Sequence, residues 1–188
     1  MKADAEFLER GNRAFVNNRD PILKVLQRVL PQSGPKSGPK SGVVFEVGSG
    51  VGNHAHYFAA RLPGLIWRPS DPDPENCARM EARMKDAPAN LQAPAILDAR
   101  ADKWPVRGAS AVVAINVVHI MPWEGTQGLI KGAAKALRPG GLLFLYGAYK
   151  RGGRYVSKND EDFDKSLRER NPEWGVRDLD DVGPDPLV

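Results

Sequence analysis

Short apolar runs and amphipathic stretches alternate along the chain from Val43 onward. The apolar runs have the length of strands and are apolar at nearly every position; they occupy residues 43–47, 65–67, 94–97, 111–116 and 142–149. Strands of that kind are buried on both faces, as in a parallel sheet covered by helices. The alternation therefore predicts an α/β fold with a doubly wound, Rossmann-like parallel sheet flanked by helices.

The stretches between the strands have helical periodicity. After the first strand, apolar residues recur at i, i+3, i+4 and i+7, at Ala55, Phe58, Ala59 and Leu62. A second helix is predicted to begin at Pro74, because Asp73 has the residue type of an N-cap and proline suits the first helical position. A third helix is predicted to end at Pro139-Gly140, just before the last apolar run.

The first 42 residues follow a different pattern. Asp20-Pro21 predicts the start of a helix whose apolar residues lie on one face: Ile22, Leu23, Leu26, Val29 and Leu30. A Ser-Gly-Pro-Lys repeat follows, and since it has no apolar residue, no burial offsets the entropy of ordering it. The pattern divides the chain into a helical cap (residues 1–31), a flexible linker (32–42) and a main domain (43–188).

Composition narrows the class of protein. The chain has 188 residues, of which 41% are hydrophobic, enough for one core-bearing domain. No apolar run approaches the ~20 residues of a membrane helix, and the charged N-terminus does not resemble a signal peptide. A single cysteine, Cys77, excludes an internal disulfide and a cysteine-based zinc site and fits a reducing, cytoplasmic setting. His54 and His56 point apart on a helix, so no metal site is expected.

Charge is unevenly distributed, although the formal net value is only +4. Residues 1–157 carry 22 basic and 13 acidic side chains, whereas residues 158–188 carry 5 basic and 10 acidic ones. A basic body can attract an anion or RNA, but an acidic tail packed against it explains the same asymmetry. No cluster of basic residues is interleaved with aromatic ones, so we expect no nucleic-acid partner.

A glycine-rich loop joins the first strand to the first helix of the main domain. Its residues are Glu46, Gly48, Gly50, Gly52 and Asn53, and this is where a doubly wound sheet binds its ligand. The spacing GxGxG departs from the GxGxxG of dinucleotide sites, and no P-loop lysine follows. The carboxylate of Glu46 would repel a pyrophosphate and attract an ammonium group.

Two further acids follow the next strands. Asp71 lies nineteen residues after Gly52, where a carboxylate can accept hydrogen bonds from ribose hydroxyls. Asp73 is close to it, but the helix start at Pro74 explains Asp73 better as an N-cap. Asp98 closes the third strand and is either an acceptor for an adenine amino group or an ordinary turn carboxylate.

In these segments the chain resembles the class I S-adenosylmethionine (SAM)-dependent methyltransferases. The matching segments are EVGSGVGN (46–53), PSD (69–71), LDAR (97–100), INVVHIMPW (115–123) and ALRPGGLLFLYG (136–147). More narrowly, the chain is similar to the methyltransferase-like 26 family in NNRDPIL (17–23), SGVGNHAHYFA (49–59), YGAY (146–149) and FDKSLRERNPEWGVRD (163–178). The resemblance implies a SAM-dependent methyltransferase with a small-molecule or protein acceptor.

The resemblance also implies roles for individual residues. The cofactor would be held by Glu46, Gly48, Gly50, Gly52, Asn53, Asp71, Asp98 and Asn116. His119 lies just beyond the fourth strand and is either the general base or a residue packed under the pocket. The acceptor side would be lined by Tyr146, Tyr149, Trp174 and Arg177. A nicotinamide dehydrogenase is disfavoured by Glu46 and by the glycine spacing.

One departure from the methyltransferase pattern concerns the end of the sheet. Methyltransferases of this class carry two further strands after the fifth, but no strand-like run follows Val156. The fold expected is therefore the seven-stranded one without its last two strands. Strand five would then be an exposed apolar edge, which predicts a chain that is marginally stable, self-associates through that edge or depends on a partner to complete the sheet. The same departure favours, as an alternative, a non-catalytic cofactor-binding or scaffold protein.

Overall fold

The computed structural model describes residues 2–30 and 42–183, with side chains from residue 12 onward. Its strands are β1 (Val43–Val47), β2 (Ile66–Asp71), β3 (Ala95–Ile96), β4 (Ala109–Ile115), β5 (Leu137–Tyr146), β6 (Tyr149–Lys150) and β7 (Arg177–Asp178). Its α-helices are α1 (Lys2–Val29), α2 (Asn53–Arg61), α3 (Pro74–Glu81), α4 (Trp123–Ala136), α5 (Lys158–Arg170) and α6 (Leu179–Val182). The predicted linker lies almost entirely outside the described residues.

The main sheet contains five parallel strands in the order β3-β2-β1-β4-β5. The chain builds β1, β2 and β3 outward in one direction and then returns to place β4 and β5 on the other side of β1. The order therefore reverses between β1 and β4, and a doubly wound sheet binds ligands in the crevice at that point. The predicted α/β class with a doubly wound parallel sheet is confirmed.

Helices cover both faces of the sheet. On one face, a first apolar cluster joins β1, β4 and β5 to α4 and includes Phe45, Val112 and Leu129. On the other face, a second cluster joins the sheet to α1 and α2 and includes Trp67, Phe58 and Leu26. The four apolar positions predicted for α2 are all buried, so the predicted helix face is confirmed.

The predicted start of the N-terminal helix at Pro21 is wrong. The helix α1 begins at Lys2 and passes through Pro21, which is exposed, so water can satisfy the carbonyl that the proline leaves without a donor. Ile22, Leu26 and Leu30 are buried as predicted, but Val29 is 46% exposed. Ile22, Leu26 and Leu30 belong to the second cluster, so α1 packs on the same core as the main domain.

The boundary between α4 and β5 also differs from the prediction. The strand β5 begins at Leu137, directly after α4, and not beyond Pro139-Gly140. Ala109 pairs with Leu137 but Ala111 pairs with Leu142, so the intervening residues of β5 bulge out of the ladder. A bulge accommodates Pro139 because proline cannot donate a ladder hydrogen bond.

The C-terminal part returns to the end of the sheet. Ser157 caps α5 by accepting a hydrogen bond from the Asp160 N–H. Beyond α5, β7 pairs in parallel with β6. The prediction of no strand after Val156 is therefore wrong for Arg177 and Asp178. Within residues 2–30 and 42–183, no helix combines the length and the apolar character that crossing a membrane requires.

Candidate functional site

The glycine loop (residues 46–53) turns sharply at the carboxyl end of β1. Gly48, Gly50 and Gly52 have φ values of 69°, 56° and 79°, the left-handed region that side chains other than glycine rarely adopt. The Gly52 N–H donates to the Ser49 carbonyl over 2.9 Å, and α2 begins at the next residue. The loop thus presents its backbone at the switch point between β1 and β4.

The three glycines differ in what surrounds them. A Cβ on Gly48 would lie 2.7 Å from the Val117 side chain, and one on Gly52 would lie 2.6 Å from that of Met80. A Cβ on Gly50 would meet nothing within 4 Å. Packing therefore requires the first and third glycines, whereas the space beside Gly50 is open to a ligand.

Asp71, the last residue of β2, ties the glycine loop to the second strand. Its Oδ2 accepts a hydrogen bond of 2.8 Å from the Gly50 N–H, and its Oδ1 accepts from the Asp73 N–H and the Asn76 amide at 3.1 and 3.0 Å. Asp71 is 5% exposed, and since a carboxylate offers about four acceptor positions, these three bonds leave one unused. Asp73 caps α3 by accepting from the Glu75 N–H, as predicted.

Glu46 lies beneath the loop and not in open space. Its side chain is 2% exposed, and its Oε2 accepts a hydrogen bond of 2.6 Å from the Trp67 indole. Burial raises the pKa of Glu46 to about 7, against the opposing effects of hydrogen bonds from Trp67 and Ser49. The carboxyl group therefore changes its protonation state near neutral pH. Trp67 was not predicted to take part in the site.

The first turn of α2 is fastened to α1 and to the end of α3. The Asn53 side chain donates to Asn12 at 2.8 Å and accepts from Arg83 at 3.0 Å, so its amide is engaged by protein groups. The His54 ring bonds Asn18 of α1 at 2.8 Å, and burial lowers the pKa of His54 to about 4. The helix α1 thus lies against the segment where the glycine loop becomes α2.

Asp98 lies at the end of the third strand but is paired with a neighbour. Arg100 donates to both of its carboxylate oxygens, at distances of 2.6 to 3.1 Å, and the side-chain hydrogen bond from Arg100 lowers the pKa of Asp98. The pair is largely exposed. Asp98 is therefore ionised and fixed in orientation at the edge of the crevice.

Asn116 follows β4 in a strained conformation. It is the one non-glycine residue with a positive φ, 58°, among the described residues. Its N–H donates to the Tyr146 carbonyl over 2.8 Å, which holds the turn against β5. Such strain is concentrated at functional sites. The turn lies at the β1–β4 crevice, across from the glycine loop.

His119 lies in what we call the histidine region, residues 117–121 together with residues 163–178. The His119 side chain is 5% exposed, and its ring meets the Phe163 ring edge-on with centroids 5.1 Å apart. The Gly175 N–H donates to its carbonyl over 3.0 Å. Burial, with smaller contributions from the charges of Arg170 and Arg177, lowers the pKa of His119 to about 4.

The residues predicted for the acceptor side lie in or next to the histidine region. Arg177 donates to the Met121 and Glu173 carbonyls at 2.7 Å, and its guanidinium lies 5.9 Å from the Trp123 ring centre. The Arg170 guanidinium lies 5.5 Å from the Trp174 ring centre. Tyr149 is half-buried, and burial raises its pKa to about 12, whereas Tyr146 is 37% exposed.

Asp164 organises the histidine region and was not predicted. This buried carboxylate accepts hydrogen bonds of 2.6 Å from the Tyr155 hydroxyl and the Val176 N–H and one of 3.1 Å from Arg168. It thereby joins α5 to the segment that leads into β7. Its position within the acidic and basic run 158–170 gives no sign of this role, because the contacts arise only when the chain folds back.

The site thus consists of two adjoining parts. The first brings together the glycine loop, Asp71 and Asn116, and the second brings together His119, Trp174, Arg177 and Tyr149. Asp98 lies at the edge of the first part and is bonded to Arg100. Within the part of the chain that the structure describes, no group of three or more histidine, cysteine or acidic residues is arranged to hold a metal ion.

Solved structures share this architecture. Human N-acetylserotonin methyltransferase in complex with SAM matches with a TM-score of 0.73 and 16% identity, over 95% of this chain and 50% of that one. An O-methyltransferase family protein from Burkholderia thailandensis matches with a TM-score of 0.71 and 16% identity, over 93% of this chain and 51% of that one. The methyltransferase of calicheamicin biosynthesis, bound to S-adenosylhomocysteine (SAH), matches with a TM-score of 0.68 and 18% identity, over 96% of this chain and 50% of that one.

At these identities the likeness shows the fold alone, and this chain shares its α/β fold with these three methyltransferases. The chain spans about half the length of the three solved structures, from 50% to 51%. Residues 10–185 match the family described as a protein of unknown function (DUF938). Because that match covers nearly all of the sequence, the chain belongs to this family.

Proposed function

We propose that the chain binds SAM at the glycine loop and transfers its methyl group to a small-molecule or protein acceptor. The observation that carries the proposal is the Gly50 backbone, which is held by Asp71 and has open space beside it at the β1–β4 crevice. The comparison with SAM- and SAH-bound methyltransferases of the same fold supports the choice of ligand. The GxGxG spacing disfavours a nicotinamide cofactor.

The residues at the crevice fit the chemical groups of SAM. The free acceptor position of Asp71 suits a ribose hydroxyl, and the open face of Gly50 allows a close backbone approach. Asp98, oriented by Arg100, suits the adenine amino group. The full set proposed to bind the cofactor is Glu46, Gly48, Gly50, Gly52, Asn53, Asp71, Asp98 and Asn116. Of these, Glu46 and Asn53 act mainly by supporting the loop, because protein groups already engage their side chains.

SAM would supply a methyl group bound to a sulfonium, and its transfer is a displacement that depends on alignment of the acceptor. Tyr146, Tyr149, Trp174 and Arg177 are proposed to line the acceptor side. Their aromatic faces and the Arg177 guanidinium suit a planar or anionic acceptor. These residues would orient the acceptor and exclude water.

Two roles for His119 were open from the sequence. A general base must reach the proton that it removes, and its pKa should lie near the working pH. The burial of His119 under Phe163 and its pKa of about 4 favour the packing role, in which the ring supports the turn that follows Asn116. A direct catalytic role would require α5 to move away from the ring.

The narrower resemblance to the methyltransferase-like 26 family stays a prediction, because the family model that matches residues 10–185 is described only as a protein of unknown function. A non-catalytic cofactor-binding or scaffold protein is the alternative function, favoured by the main sheet, which among the described residues has five strands and ends at β5. The two functions share the cofactor site and differ only in turnover.

Calorimetry with S-adenosylhomocysteine (SAH), and in parallel with NADH, tests the cofactor site directly. We expect SAH to bind and NADH not to bind; a folded protein that ignores SAH would overturn the proposal. Incubation with methyl-labelled SAM and fractionated cell extract tests turnover. Label in the protein fraction or in the small-molecule fraction identifies the acceptor class, whereas SAH binding without any transfer would support the non-catalytic alternative.

A further inference from the structure

The strand β5 has an open edge. It lies at one end of the sheet, and no strand pairs with its outer side within residues 2–30 and 42–183. The Tyr146 carbonyl accepts from the Asn116 N–H and therefore points toward β4. Since the backbone groups of successive strand residues point to opposite sides, those of Leu142 and Phe144 also face β4. The N–H and C=O groups of Leu143 and Leu145 then face outward, unpaired by any strand.

The side chains on this edge carry no charge. From Pro139 to Tyr149 the sequence contains no ionisable acid or base apart from the tyrosines. Leu142–Leu145 are all half-buried, with Leu143 and Leu145 packed on the first apolar cluster and Leu142 and Phe144 on the second. Natural edge strands usually carry charged residues or are short, which prevents pairing with another chain. The bulge and Pro139 protect the start of β5, whereas Leu142–Tyr146 carry no such device.

The opposite edge of the sheet is built differently. The strand β3 has only two residues, and its Ile96 is 63% exposed. A strand of that length offers too few backbone groups to pair stably with β5 of another copy. Head-to-tail joining of β5 to β3, which would give an open filament, is therefore disfavoured.

We propose that two copies of this chain pair antiparallel through their β5 edges. Two identical strands related by a two-fold axis satisfy each other's outward groups, because Leu143 and Leu145 of each copy present both donors and acceptors. An uncharged strand does not repel its own copy. Because it also has no charge to attract an acidic or basic partner, a second copy is the better occupant of this edge. The product is a closed dimer with one sheet that continues across both copies. The inference does not depend on the proposed function.

Light scattering during size-exclusion chromatography of the full chain gives the first test. We expect a dimer at high protein concentration that dissociates on dilution. Hydrogen exchange resolves the contact by residue. The amides of Leu143 and Leu145 should become protected as the protein concentration rises, while those of Leu142 and Phe144 should be protected at every concentration by β4.

A pair of variants at one position separates backbone pairing from side-chain packing. Leu143→Pro removes an outward N–H without breaking a bond to β4, and edge strands tolerate proline in that orientation. Leu143→Ala trims the same side chain but keeps the N–H. We expect the proline variant to raise the dimer dissociation constant about 30-fold relative to the alanine variant, since one net hydrogen bond is lost in each copy. A thermal melt of each variant verifies folding.

Three results would overturn the proposal. The first is a protein that stays a monomer at every concentration up to about 1 mM, because an interface with a dissociation constant above that value has little meaning. The second is an assembly larger than a dimer, since paired β5 edges close. The third is a dimer in which Leu143→Pro and Leu143→Ala behave alike, which would assign the contact to another surface.

Discussion

The two parts of the candidate site are held together in different ways. The glycine loop is fixed by residues at the ends of adjacent strands, such as Asp71, which bonds the Gly50 N–H directly. The histidine region is fixed by a segment more than forty residues away, because Phe163 packs on the His119 ring and Gly175 bonds its carbonyl. One part therefore depends on the sheet, and the other depends on the docking of α5 and the segment after it.

The two parts also differ in charge. Around the glycine loop two buried carboxyl groups, Glu46 and Asp71, are held by neutral donors such as the Trp67 indole, and the Arg83 guanidinium donates to the Val51 carbonyl and to Asn53. Around His119 the groups that lower its pKa are the guanidinium groups of Arg170 and Arg177. The buried charged groups next to the loop are therefore acidic, whereas the histidine region combines two guanidinium groups with the buried Asp164 carboxylate. Under the proposed function, the carboxyl groups beside the loop suit the positive charge of a sulfonium donor.

The largest expected effect comes from Gly50→Ala. The new Cβ meets no protein atom. Any loss of affinity larger than backbone strain explains therefore shows that the ligand occupies the space beside Gly50. Gly108→Ala is the matched control, since Gly108 also has a positive φ, 68°, and open surroundings, but lies just before β4, away from the loop. We expect SAH affinity to fall by at least 100-fold, about 2.7 kcal/mol, in the first variant only. Equal affinities in calorimetry would show that Gly50 does not face the cofactor.

Next in size is the pH dependence of stability due to Glu46. Its pKa is about 7 in the folded protein against the ordinary 4.5, so the folded state binds more protons between these values. The free energy of unfolding therefore falls as pH rises from 4.5 through 7. Glu46→Gln removes this term and keeps an acceptor for Trp67. From pH 5 to pH 8, the stability of the glutamine variant should rise relative to wild type by about 2 kcal/mol in urea unfolding.

An unchanged difference between the two proteins across that pH range would mean that water reaches the Glu46 carboxyl group. The variant comparison removes the opposing contributions of the buried histidines, His54 and His119, which both proteins share. The test thus isolates the glycine-loop part of the site from the histidine region.

Much of the glycine-loop part was predictable because its determinants are local in sequence. The strand preceding Gly48, the N-cap at Asp73 and the apolar face of α2 each follow from residues within one turn or strand. The place of Asp71 at the end of the second strand follows in the same way, although β2 is longer than predicted. Such features depend on backbone conformation and short-range periodicity, which a single sequence displays.

The remainder depends on contacts between distant segments. The Trp67 indole reaches Glu46 because β1 and β2 are neighbours with Val44 opposite Trp67, a register that no short motif encodes. Asp164 meets Val176 only after α5 ends and the chain reverses. The passage of α1 through Pro21 is possible because that residue faces solvent, and the sequence alone does not state which side of the helix is exposed.

The comparison of Asp71→Asn with Asp73→Ala is expected to give a smaller effect. Losing the carboxylate of Asp71 weakens a charge-assisted bond to the ligand and the bond to Gly50, so SAH affinity should fall about tenfold, near 1.5 kcal/mol. Losing the cap of α3 should lower stability by about 1 kcal/mol and leave binding unchanged. Calorimetry and thermal melts on both variants give the ranking. The reverse ranking would transfer the ribose contact to Asp73.

The smallest expected effect on the cofactor is that of His119→Gln, which should change SAH affinity by less than about twofold, because the ring lies in the other part of the site. The wild-type imidazole should titrate with a midpoint near pH 4 in NMR, with the variant identifying its resonance. The lowered pKa means that the stabilisation is complete above pH 6.5 and is lost as pH falls from 6.5 through 4. A midpoint between 6 and 7 would instead show that α5 leaves the ring open to water. It would restore His119 as a general base and would make the two parts of the site alike in their access to solvent.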